Sequence, residues 1–305
     1  MKRALAVYLL TISAPTLAVA QDLSYSGALT LGVGFHSVSD IDQDLRTTSL
    51  DGRLDFDFGN GFSFGVDAGY LDLDIDEVPV DFNAQFIGLD VAYRFANGMS
   101  LGAYTEQLTA SADLLPIDIS LKSSGITAGY DASGLQLGAF IGQSDTSPEL
   151  PGTDLQDLGL TAKYAPMEGL KLGAAFLRTT VDTAGPEVDL DFLGLAATYV
   201  INDSFTVFGG VSKTSLDLLD ADATTMGLGA GYLLPMGGVT STLSLELART
   251  DLSAGGIGGG DLDTVRLGLT LPLGGKGSEA PLNSVADSVF NPRHSAINAG
   301  LTSAF

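Results

Sequence analysis

The chain contains no cysteine among its 305 residues, so it can form no disulfide, thiolate metal site or cysteine nucleophile. It has only two histidines, His36 and His294, each followed directly by a serine. Neighbours on a strand point to opposite faces, so neither pair is set up for base-assisted attack. Basic residues are scarce too: 14 Lys and Arg stand against 37 Asp and Glu, a net charge of −23. That balance argues against nucleic acid as a partner. Beyond the N-terminal segment no apolar run is long enough for a transmembrane helix, although 45% of the residues are hydrophobic.

What is present begins with an export signature. Met1-Lys-Arg3 is basic, Ala4 to Leu17 is mostly apolar, and Ala18-Val-Ala20 before Gln21 has the small residues of a cleavage site. Residues 1–20 therefore read as a secretory signal peptide.

The apolar residues that follow are cut into alternating pieces. In Leu158 to Phe176, the positions Leu158, Leu160, Ala162 and Tyr164 precede a Pro/Gly turn, and Leu170, Leu172, Ala174 and Phe176 resume the period of two. This is a β-hairpin with one apolar face. Similar hairpins start at Gly88, Gly125, Gly194 and Gly227, with a divergent copy at Leu54 to Val66. Their turn residues Gly61, Gly98, Gly134, Gly169, Ser204 and Gly238 recur at intervals of 34 to 37 residues. Unpaired half-repeats stand at both ends, Leu23 to His36 and Asp263 to Leu273.

If those two strands close on each other, the predicted fold is all-β: a transmembrane, antiparallel, up-and-down β-barrel of about 14 strands over residues 21–273. Alternating high apolar content with abundant glycine fits that class. The acidic clusters (Asp40/Asp42/Asp44, Asp72/Asp74/Asp76, Asp217/Asp220/Asp222 and Asp251/Asp261/Asp263 among them) lie in or beside the long connections, leaving the short turns nearly neutral. Phe58, Phe62, Phe64, Tyr93, Phe95, Tyr130, Tyr164, Tyr199, Phe205 and Tyr232 flank the short turns on the apolar parity, as a membrane-interface ring does. Residues 274–305 break the pattern. They read as a Gly-rich linker, a short helix over 283–290, and either a periplasmic tail or a last strand, which leaves 16 strands open.

No catalytic constellation, cofactor or firm metal site emerges. Asp72 to Asp76 lacks the glycine and glutamate of a helix-loop-helix calcium site, which leaves weak divalent-cation binding by the acidic loops as an alternative only. Gly227-Leu-Gly-Ala-Gly-Tyr232 lies within a strand and is no dinucleotide fingerprint. By parity the inward face carries Arg53, Asp55, Asp57, Asp67, Asp90, Arg94, Glu106, Asp157, Lys163, Lys171, Glu246 and Arg266 among small residues. These are the candidate pore-lining residues. The competing assignment is that they pair across a filled lumen.

The signal peptide, amphipathic strands, short Gly turns, acidic long loops and terminal Phe305 resemble bacterial, Gram-negative outer-membrane porins. The resemblance covers residues 21 to 273. It implies short periplasmic turns, long extracellular loops and a location in the outer membrane. It also implies passive diffusion of small hydrophilic solutes or ions, with cation preference expected from the acidic rim, and no enzymatic step. The implied partners are outer-membrane lipid and lipopolysaccharide, the barrel-assembly machinery and the solutes themselves, with a trimer among the oligomeric states left open. The rival functions are a non-conducting structural or adhesive barrel, an outer-rim hydrolase using His36, and a soluble secreted β-repeat protein.

Overall fold

Alternation of apolar and small or polar side chains builds fourteen strands among the described residues. The computed structural model describes residues 23–39, 44–75, 81–112, 118–183, 185, 187–217, 220–236, 239–255, 258–274 and 277–304. The first seven strands are β1 (Ser24–Val38), β2 (Asp44–Asp57), β3 (Phe62–Ile75), β4 (Asp81–Arg94), β5 (Met99–Ala112), β6 (Ile119–Ala132) and β7 (Leu135–Ser147). The second seven are β8 (Thr153–Met167), β9 (Leu170–Thr183), β10 (Val188–Asn202), β11 (Phe205–Leu216), β12 (Ala221–Met236), β13 (Val239–Ala254) and β14 (Gly258–Gly274). Two helices follow, α1 (Val285–Phe290) and α2 (Ala296–Ala304).

Each strand pairs antiparallel with its sequence neighbours, and β1 pairs with β14 to close the barrel. At that seam Leu31 lies opposite Leu269 and Val33 opposite Leu267. The hairpin at the centre of the sequence argument has the expected register, with Leu160 opposite Phe176 and Tyr164 opposite Leu172. Closure leaves no strand edge to recruit a further segment. The sixteen-strand alternative is therefore corrected: residues 296–304 form a helix, and the ring is complete without them.

Four of the short turns share one construction. Gly61, Gly98, Gly134 and Gly169 all have φ between 81° and 92°, in the left-handed region where a side chain is costly. The carbonyls of these residues accept hydrogen bonds from Arg94, Asp131, Ala165 and Val200, tying each turn to the next hairpin. The 35-residue spacing in the sequence is thus the repeat distance of this turn-to-turn lattice.

Outside, the barrel presents an unbroken apolar surface. Ile126, Ile141, Leu160, Leu195, Leu228, Leu247 and Leu267 are all exposed. Below them, at the short-turn end, sit Phe62, Tyr130, Tyr164, Tyr199, Phe205 and Tyr232, also exposed. Phe62 and Tyr93 have ring centroids 4.8 Å apart, and Phe205 and Tyr232 5.0 Å. An apolar belt of this extent requires a lipid solvent, which removes the soluble alternative. Residues 1–22, where the signal peptide is expected, lie outside the described residues, as does Phe305.

The hydrophobic core lies inside the ring. Tyr104, Phe140, Ala175, Leu177, Phe192, Ala196 and Phe208 point inward and pack with Ala280, Ala286, Val289, Phe290, Ala296 and Ala299 of the C-terminal segment. α1 packs against β8 to β12, and α2 against β9 to β12. The segment assigned from sequence to a periplasmic tail or last strand instead enters the lumen from the short-turn end. A continuous apolar arc on the inner wall gives its helices a face to bury.

A candidate functional site in the lumen

Small residues on the inner wall make room for this segment. An ideal β-carbon on Gly173 would fall 2.7 Å from the Phe290 ring, and one on Gly194 would fall 2.6 Å from Val289 Cγ2. Gly210 and Gly227 are in similar contact with Val285. Sequence reading assigns the space above these glycines to water; the structure gives it to the tail.

Local chemistry shapes the inserted segment. Ser284 caps α1, accepting a hydrogen bond from the Asp287 amide at 3.1 Å, while its own hydroxyl donates to the Pro281 carbonyl at 2.7 Å. Val285, Val289 and Phe290 are fully buried. Asp287, turned toward β2, receives two parallel hydrogen bonds from Arg53: Nη1 to Oδ1 at 3.0 Å and Nη2 to Oδ2 at 3.1 Å. Arg53 Nε donates to Asp67 at 2.8 Å, so one guanidinium bridges wall and plug.

A second anchor stands on β5. Glu106, almost wholly buried, accepts from the His294 amide and the Asn298 side chain, both at 3.1 Å, and lies 3.0 Å from His294 Nδ1. The His294 ring stacks on Tyr104 with centroids 3.7 Å apart, and Phe140 meets it edge-on at 4.8 Å. Arg293 lies over the Phe86 ring at 3.6 Å and is 3.7 Å from Asp67.

Further attachments surround these. Lys163 donates to Asn291 at 2.7 Å and lies 3.8 Å from Glu279, which Lys171 approaches at 3.5 Å. Glu246 accepts from the Val285 amide at 3.1 Å and from Arg266 at 2.9 Å. Asp157 accepts from Ser144 and Thr179, and Thr179 Oγ1 accepts from the Ala296 amide at 3.0 Å. The Leu282 amide donates to Thr30 on β1 at 3.1 Å. The carboxylate of Glu279 resists burial, which would raise its pKa, because Lys163 and Lys171 pull it below the ordinary carboxylate range.

The predicted residues therefore divide. Arg53, Asp67, Glu106, Lys163, Lys171 and Glu246 touch the tail directly, and Asp157 and Arg266 hold groups that do. Asp55 and Asp90 lie on the inner wall toward the short-turn end and make no direct hydrogen bond or ion pair among the described residues. Asp57 serves the turn instead, accepting from the Gly59 amide at 2.8 Å. Arg94 stands at the exposed rim, 3.7 Å from Asp131. His36, the residue the outer-rim hydrolase alternative relies on, is buried and faces inward, 2.8 Å from Thr47 Oγ1 and 2.9 Å from Thr264 Oγ1. That alternative would take Asp40 or Asp42 as the partner of His36, and both lie outside the described residues.

Sequence reasoning missed the tail's half of every pair: Glu279, Asp287, Asn291, Arg293, His294 and Asn298. The available signal was Ser284-Val-Ala-Asp287, a capping pattern at the start of the short helix. Among the described residues no cluster of His, Asp and Glu is arranged to hold a metal ion.

Comparison with known proteins places this architecture. The profile of the Gram-negative porin family matches residues 118–255, which run from the start of β6 through β13. No curated protein matches the sequence. The anion-selective porin from Comamonas acidovorans is similar with a TM-score of 0.52 and 13% identity, over 83% of this chain and 100% of that one. A FadL homologue of Pseudomonas aeruginosa is similar with a TM-score of 0.51 and 14% identity, over 82% and 89%. A deltaS2 mutant of the TodX monoaromatic hydrocarbon channel has a TM-score of 0.52 and 10% identity, over 83% and 90%. Likeness at such identities is likeness of fold.

Proposed function

For this porin-like, channel-type β-barrel of the Gram-negative outer membrane, we propose passive diffusion of small hydrophilic solutes or ions, gated by the chain's own C-terminal segment. The observation that carries the reading is the Arg53–Asp287 pair, a polar, non-covalent tie between the wall and a helix that also packs its apolar face inside the lumen. Charge-assisted hydrogen bonds hold such a segment in place and still exchange for water, whereas a covalent link would not. At rest the plug blocks the path; passage follows when it shifts.

Once the plug shifts, Asp55, Asp67, Asp90, Glu106 and Asp157 outnumber the basic groups on that wall. Cation preference follows, and salt screens it. The reading includes no catalytic step, and an outer-rim hydrolase would require activity that His36→Ala abolishes. A static, non-conducting barrel is the second reading, favoured by the complete burial of Val285 and Val289.

Planar-bilayer recording separates them. Because the chain has no native cysteine, a Gly194→Cys/Val289→Cys pair, placed where wall and plug touch, reports on the plug alone. The gated reading expects sparse current steps from the wild type, silence from the oxidised double variant, and recovery on reduction. It also expects sustained current after residues 275–305 are removed from a barrel that retains its folded electrophoretic mobility. A truncated, folded barrel without conductance overturns the proposal, and anion preference at low salt overturns the selectivity.

A further inference from the structure

The lumen holds a second feature, at the end opposite the short turns. A cavity of about 350 Å³ opens there, lined by the inward side chains of Leu190, Thr214, Leu216, Ala223 and Leu252, with Ala221 and Ala254 at its lip. Leu252 is half exposed although it points into the ring. Gly300 of α2 meets Thr214, so the plug's second helix borders the cavity floor. Asp222, which pairs with Lys213, and Ser253, Gly259 and Gly260 complete the lining, and none of the residues that line it is aromatic. Below and beside it the wall continues apolar through Phe192 and Leu262, both buried.

Leucines and alanines facing an aqueous mouth are unfavourable there unless something covers them. The volume matches the smaller end of ligand pockets. The carbon walls suit a flexible aliphatic chain, and the hydroxyls of Thr214 and Ser253 offer little to a polar one. The charge at the lip decides the sign of the head group. Leu216 and Ala221 are the residues that flank the turn bearing Asp217 and Asp220, both exposed, and this turn meets the β13–β14 turn where the Asp220 carbonyl accepts from the Gly255 amide at 2.9 Å. Lys213 is committed to Asp222 at 3.1 Å, and Arg249 to Asp251, Asp261 and Asp263, so the basic groups nearby already have partners.

We infer that this outer cup binds a cationic amphiphile of medium chain length, its aliphatic chain against Leu190, Leu216 and Leu252 and its cation beside Asp217 and Asp220. An anionic amphiphile with the same chain meets like charge at the lip and binds less well. The site lies on the loop side of the plug, so occupancy does not require the plug to move.

Calorimetric titration of the full-length barrel in amphipol tests the inference, with decyltrimethylammonium, decanol, decanoate and tetramethylammonium as probes. The expected order is decyltrimethylammonium first, decanol second and decanoate last, with no binding of tetramethylammonium alone. Ala223→Phe fills the cup and leaves every charge in place; it should weaken decyltrimethylammonium about tenfold or more, the equivalent of losing roughly two buried methylenes. Asp217→Asn/Asp220→Asn should erase the preference for the cation over decanol while decanol binding persists. Equal affinity of wild type and Ala223→Phe, both migrating as folded barrels, overturns the site; tighter binding of decanoate than of the cation overturns the ligand class. Repeating the titration on the oxidised Gly194→Cys/Val289→Cys barrel keeps this result separate from the gating proposal, because the cup should bind equally with the plug locked.

Discussion

Arg53 and Asp287 meet as a two-pronged pair, each guanidinium nitrogen within 3.1 Å of its own carboxylate oxygen, although 234 residues of chain separate them. One is on the second strand of the wall and the other on a helix after the last. With Asp67 on the opposite edge of the same guanidinium, the pair is largely screened from water. Removing one partner leaves the other buried and uncompensated, which costs about 3 kcal/mol or more. Asp287→Asn should therefore raise the open probability in planar bilayers by roughly two orders of magnitude, since each 1.4 kcal/mol is a factor of ten. Arg53→Met should do likewise, while the barrel itself still resists unfolding in cold detergent. Unchanged conductance in both would show that the pair holds nothing shut.

Gly173 offers a test that leaves all charges alone. A valine there collides with the Phe290 ring, and overpacking of this kind costs about 1–3 kcal/mol. Gly173→Val should loosen the tail without harming the barrel. Limited proteolysis checks it: the variant should lose its C-terminal segment at a protease concentration that spares the wild type.

Acid should release the mouth of the plug. Glu279 has a folded-state pKa held below its unfolded value by Lys163 and Lys171, so its contribution is complete above the ordinary carboxylate pKa. That contribution is lost as pH falls through the depressed value. Conductance should rise on acidification across and below the ordinary carboxylate range. Glu279→Gln should be more open at neutral pH and show a flatter profile. A wild-type profile identical to that of Glu279→Gln would assign the pH response to another group.

The outer belt makes a separate prediction. Leu245 is exposed near the middle of the belt, opposite Leu267 on the next strand. Leu245→Arg should destabilise the folded barrel in lipid vesicles by about 2–4 kcal/mol, the cost of a cation at the bilayer midplane. Urea unfolding followed by tyrosine fluorescence measures it. A cost near zero would mean that this face does not meet lipid.

Most of the barrel was legible because it is local. Alternation in Leu158 to Tyr164 and Leu170 to Phe176 defines two strands and their faces, and the glycine between them defines the turn, with no distant residue involved. Repeating that unit leaves the first and last strands to satisfy each other, so the strand number followed from counting. Inward placement of Arg53, Glu106, Lys163 and Glu246 followed from the same parity.

The plug was not legible, because pairing at a distance leaves no periodic trace. A glycine on the inner wall reads identically whether water or Phe290 lies above it, and Glu106 carries no mark of His294. The inward leucines of β9 to β13 blurred the alternation that parity relies on, yet they form the apolar arc that receives the helices and the cup above them. By itself the sequence determined the closed sheet and its lipid-facing belt, since backbone pairing and a period of two depend on near neighbours. Only the tertiary structure decided what fills the interior, because that depends on where the segment after the last strand finds apolar surface and opposite charge across the ring.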